Sequence, residues 1–271
     1  MYEAYWGLKE KPFQNTPDPR FFYKSAEHEE TLMRLVYVIE QGLGAAMLTG
    51  VFGCGKTVIG NTIFDRLPPD KYKIALITNP QLDYVELLRA IVRNLKAVEL
   101  PTKKTELSTD SLLEILGNIL ENNARDGKET VIIIDEAHII KDESIFEELR
   151  LLLNFQRKDK FLLTLFLFGQ PELKQKIEDI KQLEQRIAIK CHLEAFKYQD
   201  IHDYIVHRLS VAGKTEAIFD EDAFKLIHSR SGGIPRRINR ICDFSLLVGM
   251  HKNVKIIDEQ LMEESLQSLE A

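Results

Sequence analysis

The sequence predicts an α/β fold: a doubly wound parallel sheet followed by a small all-helical domain. Three observations carry this expectation. Short apolar runs recur through the first 195 residues, they are continuous rather than alternating, and amphipathic stretches separate them. Strands buried on both faces of a parallel sheet have that signature, and strand–helix alternation is how such a sheet is wound. Beyond about Phe196 the strand signals stop and helical patterns alone continue. The expected organisation is an N-terminal arm over 1–26 packed on the core, an α/β core over 27–195, and a helical lid over 196–271.

Each element follows from local pattern. Pro12, Phe13, Pro17, Pro19, Phe21 and Phe22 crowd the start, and proline at that density forbids a long helix, so the arm is expected to be extended. Residues 27–40 place Leu32, Leu35, Val36 and Ile39 on one helical face. AAMLTG (45–50), KIALIT (73–78), TVIIID (130–135) and FLLTLFLFG (161–169) read as strands, and IAIKCHL (187–193) as a weaker fifth. Between them, 82–95 carries Leu87, Leu88, Ile91 and Leu95 at helical spacing, and 111–123 opens with Ser111 and Glu114 at capping-box spacing. The later helices are expected at 199–212, closed by Gly213, at 220–230, closed by Gly232 and Gly233, at 235–249 and at 258–269.

Composition narrows the class. With 36 Lys+Arg against 42 Asp+Glu, the formal charge of −6 argues against indiscriminate binding to nucleic acid or anionic lipid. The longest apolar run, Phe161 to Phe168, falls far short of the ~20 residues a membrane helix needs, so no transmembrane segment is expected. The start MYEAYWGLKEKPF has neither a basic n-region nor an apolar h-region. Cys54, Cys191 and Cys242 lack any CxxC or disulfide spacing, so a reducing, cytoplasmic setting is the expectation.

Two motifs carry chemistry. Gly50-Val51-Phe52-Gly53-Cys54-Gly55-Lys56-Thr57 matches GxxxxGK[ST] between an apolar strand and a helix. Its glycines let backbone N–H groups turn toward phosphates without a Cβ clash, and the following helix adds its positive dipole end. Residues Gly50 to Val58 are thus the candidate ATP contacts, with Lys56 directed at the β- and γ-phosphates and Thr57 at Mg²⁺. The second motif is Val131-Ile132-Ile133-Ile134 ending in Asp135-Glu136, which delivers two carboxylates at a strand's C-terminal end. That edge is where parallel α/β sheets bind ligands. Asp135 is the candidate Mg²⁺ residue, and Glu136 the candidate to orient or deprotonate an attacking water.

These motifs, a polar residue after the fourth strand and the trailing helices together resemble an AAA+ P-loop NTPase. Within that superfamily the chain is similar to the secretion-pathway A-type ATPases (ExeA/GspA-like, with relatives linked to pilus and exopolysaccharide loci) and, more distantly, to ATPases that regulate transposases. The resemblance covers nearly the whole chain. It rests on YWGLKEKPFQNTPDPRFFYKSAEHEETLMRL, GVFGCGKT, IIIDEAH, LFGQPEL, LEQRI and GGIPRRINRICD. By position it implies that Gln170 is sensor 1, that Arg186 is an arginine finger reaching a neighbouring subunit's nucleotide, and that Arg236 is sensor 2, with Arg237 the adjacent competitor. It further implies Mg²⁺-dependent ATP hydrolysis, a homo-oligomeric ring or filament whose assembly follows ATP-driven lid closure, and a protein partner in a secretion, pilus or polysaccharide-export machine. A DNA-binding regulator that recruits a transposase is the alternative.

Departures and weaker signals complete the reading. Phe52 and Cys54 stand where these relatives vary, and a thiol at a helix N-terminus can have a lowered pKa, which opens a redox side hypothesis for Cys54. The larger relatives continue into a membrane helix and a peptidoglycan-binding domain; the sequence closes after the helical region, so cell-wall binding is not carried over. DEAH (135–138) spells a helicase motif, but too little chain follows for a second helicase domain, and His138 reads as a helix-start residue. Arg236, Arg237, Arg240, Lys252 and Lys255 form a candidate basic face for DNA. The stretch ELPTKKTELSTD (99–110) is expected to be a mobile loop near an oligomer's pore.

Overall fold

The computed structural model describes residues 1–95, 108–158 and 160–270. They divide into two compact units: one takes in 26–51 and 59–193, the other 1–25, 52–58 and the chain from 194 onward. The stretch 99–107 of the expected mobile loop lies outside the described residues.

The first unit is an α/β layer structure. Its sheet has five strands in the order β2–β3–β6–β1–β7: β1 (Ala45–Gly50), β2 (Tyr72–Ile77), β3 (Glu129–Ile134), β6 (Thr164–Gly169) and β7 (Ile187–Leu193). Every pairing is parallel, with Thr49 level with Gly169, Gly50 with Leu193 and Ile134 with Leu167. The strands β1 and β6 are buried along their whole length, as continuous apolar runs covered on both faces must be. The helices α4 (Tyr84–Asn94) and α5 (Thr109–Arg125) pack their Leu87, Leu88, Ile91, Leu112, Leu116 and Leu120 into one core with Ile132, Ile134, Leu165 and Leu167. Asp83 caps α4 by accepting from the Glu86 amide at 2.8 Å. Ser108, not Ser111, caps α5: its hydroxyl accepts from the Ser111 amide at 3.2 Å, so the helix begins two residues before the expected start.

The apolar run 161–169 is two elements. Phe161 belongs to a short antiparallel hairpin, β4 (Gln156–Arg157) with β5 (Lys160–Phe161), and the sheet strand starts at Thr164. Helices α2 (Ala26–Glu40), α3 (Lys56–Arg66), α6 (Ser144–Leu152), α7 (Glu172–Asp179) and α8 (Lys181–Glu184) complete the connections. The last three are only nine, eight and four residues long, too short for their apolar periodicity to mark them in the sequence.

The second unit is helical: α9 (Tyr198–Val211), α10 (Glu221–Ser231), α11 (Pro235–His251) and α12 (Glu259–Glu270). Gly213 and Gly232 take positive φ at the ends of α9 and α10, as their sequence positions require. The N-terminal arm packs here rather than on the α/β core, a correction to the sequence expectation with a simple cause. Four short helices enclose little apolar volume, and Tyr2, Trp6, Leu8, Phe13 and Phe21 of the arm complete their core with Ile205, Leu209, Ile238 and Leu246. Nor is the arm wholly extended: α1 (Tyr2–Trp6) is a helix closed by Gly7 at φ 70°, preceding the first proline.

Polar bonds fix the arm. Trp6 Nε1 donates to Leu246 O at 2.9 Å, and the Tyr2 hydroxyl donates to Asp243. The buried Arg208 donates to Pro12 O at 2.5 Å, Gln14 O at 3.0 Å and the Tyr204 hydroxyl at 2.8 Å, with its guanidinium 4.8 Å from the Phe21 ring centre. Tyr204 in turn donates to Asn239 Oδ1, and Asn239 Nδ2 reaches Asn15 Oδ1. Arg208→Ala leaves the buried Pro12 carbonyl and the part-buried Gln14 carbonyl without this donor and should lower stability by about 1–3 kcal/mol. The fluorescence of Trp6, the chain's single tryptophan, reports it directly during urea unfolding. An unchanged midpoint would mean that the aromatic contacts alone hold the arm.

Candidate functional site

Strand β1 ends at Gly50 and α3 begins at Lys56, so the glycine-rich motif is the turn between them. Gly53 and Gly55 have φ of 86° and 107°, values that only glycine adopts freely. The loop therefore coils into the N-terminus of α3, where the first amides of a helix have no intrahelical acceptor. Lys56 is 4% exposed. Cys54 is fully buried, with its sulfur 4.0 Å from Lys56 Nζ, so the thiol considered for redox control does not face solvent.

The first turn of α11 lies against this loop. Arg236 N donates to Gly53 O at 3.3 Å, and a Cβ on Gly53 would stand 2.7 Å from Arg236 Cβ. The Arg236 guanidinium lies 4.6 Å from the centre of the Phe52 ring, which is 55% exposed. Of the two competing arginines, Arg236 is thus the one beside the loop; the Arg237 amide bonds back to Ile234 O. No sequence signal points to the Phe52–Arg236 pair, because 184 residues separate them and only the fold brings them together.

At the end of β3, Asp135 is 2% exposed and its amide extends the ladder to Ile77 O at 2.8 Å. The Glu136 amide donates to Asp135 Oδ1 at 2.9 Å, and Glu136 itself has φ 53°, a left-handed conformation rare for a residue with a side chain. A single 3₁₀ turn follows over Ala137–Ile139. His138, expected as a helix-start residue, sits in that turn with Nδ1 3.4 Å from Glu136 Oε2. Lys176 of α7 donates to the carbonyls of His138 and Ile140 at 2.7 and 2.6 Å, a clamp that sequence spacing does not disclose. Gln170 follows β6 directly, is half-buried, and accepts from the Leu173 amide to open α7. Gly50, Asp135 and Gln170 therefore share the C-terminal edge of the sheet.

Arg186 does not. It precedes β7 at the opposite edge, packed 5.9 Å from the centre of the Phe161 ring, and the length of β7 at roughly 3.3 Å per residue separates it from the C-terminal edge by about 20 Å. The candidate basic face on α11 is partly engaged locally: Lys252 pairs with Glu264, and Arg240 bonds Leu269 O at 3.4 Å. Among the described residues no three His, Cys, Asp or Glu side chains cluster as a metal-ligand set, and no helix is long and apolar enough to cross a membrane. A Mg²⁺ site of the phosphate-loop type needs no such set, because it takes one carboxylate, one hydroxyl, substrate phosphates and water. The buried carboxylate of Asp135 is of the kind such a site takes.

Comparison with known families decides the classification. The AAA domain family model matches residues 39–177, just over half of the chain. The chain belongs to the AAA domain family. General secretion pathway protein A of Aeromonas hydrophila is 39% identical over 261 residues, which is 94% of this chain and 46% of that protein, so the chain spans about half of its length. An uncharacterised HTH-type transcriptional regulator of Methanocaldococcus jannaschii is 24% identical over 97% of this chain and 73% of its own length. Among solved structures, the ADP form of the Aeropyrum pernix ORC2 protein superposes with a TM-score of 0.71 at 19% identity, covering 96% of this chain and 73% of that one. This likeness extends to the parallel sheet and the helices after it, and identifies the AAA-type α/β fold that the sequence predicts.

Gly53→Ala tests the packing of α11 on the loop of this AAA domain. The substitution imposes both a strained φ and a contact that must give way, and it should destabilise the protein by about 1–3 kcal/mol. Thermal unfolding by calorimetry measures this; an unaltered midpoint would show that loop and helix part freely.

Proposed function

We propose that this AAA domain binds Mg-ATP and hydrolyses it to drive assembly or remodelling of a secretion, pilus or polysaccharide-export complex. The observation that carries the reading is the glycine-turned loop opening into the N-terminus of α3, with Arg236 seated beside it. Backbone amides there offer a preorganised phosphate cradle, and Lys56 adds a charge. Thr57 and Asp135 are the proposed Mg²⁺ ligands; bound there, the ion neutralises phosphate charge. Glu136 orients the attacking water and accepts its proton, and Gln170 bonds the water or the γ-phosphate. Arg236 answers to the γ-phosphate from the helical unit.

Arg186 has a different task. Its place at the far edge of the sheet supports action on the nucleotide of a neighbouring copy rather than its own, which makes the proposed enzyme a ring or filament. The secretion role follows from the likeness to General secretion pathway protein A. The alternative, an ATP-dependent DNA-binding regulator, draws on the weaker likeness to the HTH-type regulator.

Glu136→Gln should retain ATP binding and lower turnover by about 10²–10⁴-fold, the usual worth of a general base. Wild-type turnover in that variant would sink the assignment. Steady-state ATPase activity, measured across protein concentrations with light scattering on the same samples, tests the oligomer. Specific activity should rise with concentration, and Arg186→Ala should abolish the rise. Activity independent of concentration would remove the trans role of Arg186. Duplex DNA is expected to change neither activity nor scattering; a salt-sensitive increase in both would favour the DNA-binding alternative.

A further inference from the structure

The turn after the Asp135-Glu136 pair is held more firmly than a surface turn needs to be. Lys176 places its ammonium on two of its carbonyls, His138 O at 2.7 Å and Ile140 O at 2.6 Å. Gly169, the last residue of β6, lets the turn approach closely: a Cβ there would stand 3.2 Å from His138 N and 2.8 Å from Leu173 Cδ2. The backbone of His138 is thereby fixed from two sides, by the β6 terminus and by α7. Its imidazole is only 12% exposed, and Nδ1, although buried, makes no hydrogen bond. A buried ring nitrogen in that condition costs free energy until it finds an acceptor. Glu136 Oε2, 3.4 Å away, lies a few tenths of an ångström beyond hydrogen-bond range.

We infer that His138 is a positioning residue for the Glu136 carboxylate: with its backbone clamped by Lys176, it donates Nδ1–H to Oε2 and fixes the carboxylate's orientation. The inference rests on the proposed role of Glu136 as the group that orients and deprotonates water. A carboxylate on a flexible side chain loses catalytic effect when its direction varies, and an imidazole bonded to it through one nitrogen fixes that direction. The left-handed backbone of Glu136 makes this support necessary, because it turns the side chain away from the paths that a regular strand or helix would give it. Since Lys176 lies on α7, the helix that Gln170 opens, the clamp also ties the water-orienting carboxylate to the proposed sensor.

Steady-state kinetics of substituted chains test the inference, with fluorescent-nucleotide affinity and thermal midpoint as controls for folding. His138→Ala should lower kcat about 10-fold or more while leaving KM for ATP and nucleotide affinity within about twofold of wild type. His138→Gln, which retains a donor on a side chain of similar reach, should recover part of the loss. Lys176→Met, which keeps the stem and removes the ammonium, should lower kcat in the same direction. In the Glu136→Gln background, His138→Ala should cost nothing further, because the group it positions has already lost its charge. Unchanged kcat in His138→Ala, or a double variant well below Glu136→Gln alone, would overturn the positioning role. Full turnover in Glu136→Gln would instead remove the reading beneath it, so the two failures are distinct.

Discussion

Parallel pairing of all five strands is the constraint on which the α/β unit depends. It puts every strand's C-terminal end on one edge and every N-terminal end on the other. The crossovers must then run along the sheet faces, which explains both the buried, unalternating central strands β1, β3 and β6 and the amphipathic helices between them. It also sorts the functional candidates without any specific contact between them. Gly50 ends β1, Asp135 and Gln170 follow the adjacent β3 and β6, and the three emerge together, whereas Arg186 precedes its strand and emerges a strand's length away. A parallel sheet thus separates the candidates that emerge together at one edge from the one that lies at the other.

The helical unit solves a different problem. Its helices leave apolar faces that they cannot close among themselves, and the arm supplies the missing surface from the other end of the sequence. Arg208 is buried in that join with its donors committed to arm carbonyls and the Tyr204 hydroxyl, while Phe21 and Tyr204 lie against its guanidinium. Burying a guanidinium is costly unless its hydrogen bonds are met, so this arrangement specifies one register of the arm and disfavours a slipped one. The same join reaches α11 through Asn239 and through Trp6 on Leu246 O. The helix that carries Arg236 is therefore braced along its length by the arm.

What the sequence discloses and what it conceals divide along physical lines. The central strands β1, β3 and β6 were legible because burial on both faces demands continuous apolar runs, and the glycine-rich turn because positive φ and phosphate approach demand glycine at set spacing. The ends of the later helices were legible for the same reason, at Gly213 and Gly232. Concealed were features decided by tertiary partners. Proline density shows that the arm is irregular but not which surface it covers. The apolar run 161–169 hides the hairpin because Phe161 is as hydrophobic as the strand residues after it. Arg236 and Arg237 are chemically alike, and only helix phase decides that the first meets Phe52. Ser108 and Ser111 are both competent caps, and the longer helix decides between them.

Backbone strain shows where the α/β unit is overdetermined. Among the described residues, three other than glycine have positive φ: Glu136, Lys158 and Asn253. Asn253 tolerates the left-handed region through its short polar side chain, and Lys158 sits in the tight turn of a two-residue-strand hairpin, where such a conformation is common. Glu136 has neither excuse. It is held there because its amide bonds Asp135 Oδ1, its carbonyl accepts from the Ile139 amide at 3.0 Å, and the turn beyond is pinned by Lys176 against a strand end that lacks a Cβ. A chain with no use for that conformation would relax it by about 1 kcal/mol or more simply by placing glycine at this position. A charged side chain on a strained backbone, at the edge where parallel sheets hold their ligands, is the observation that supports the proposed role of this carboxylate.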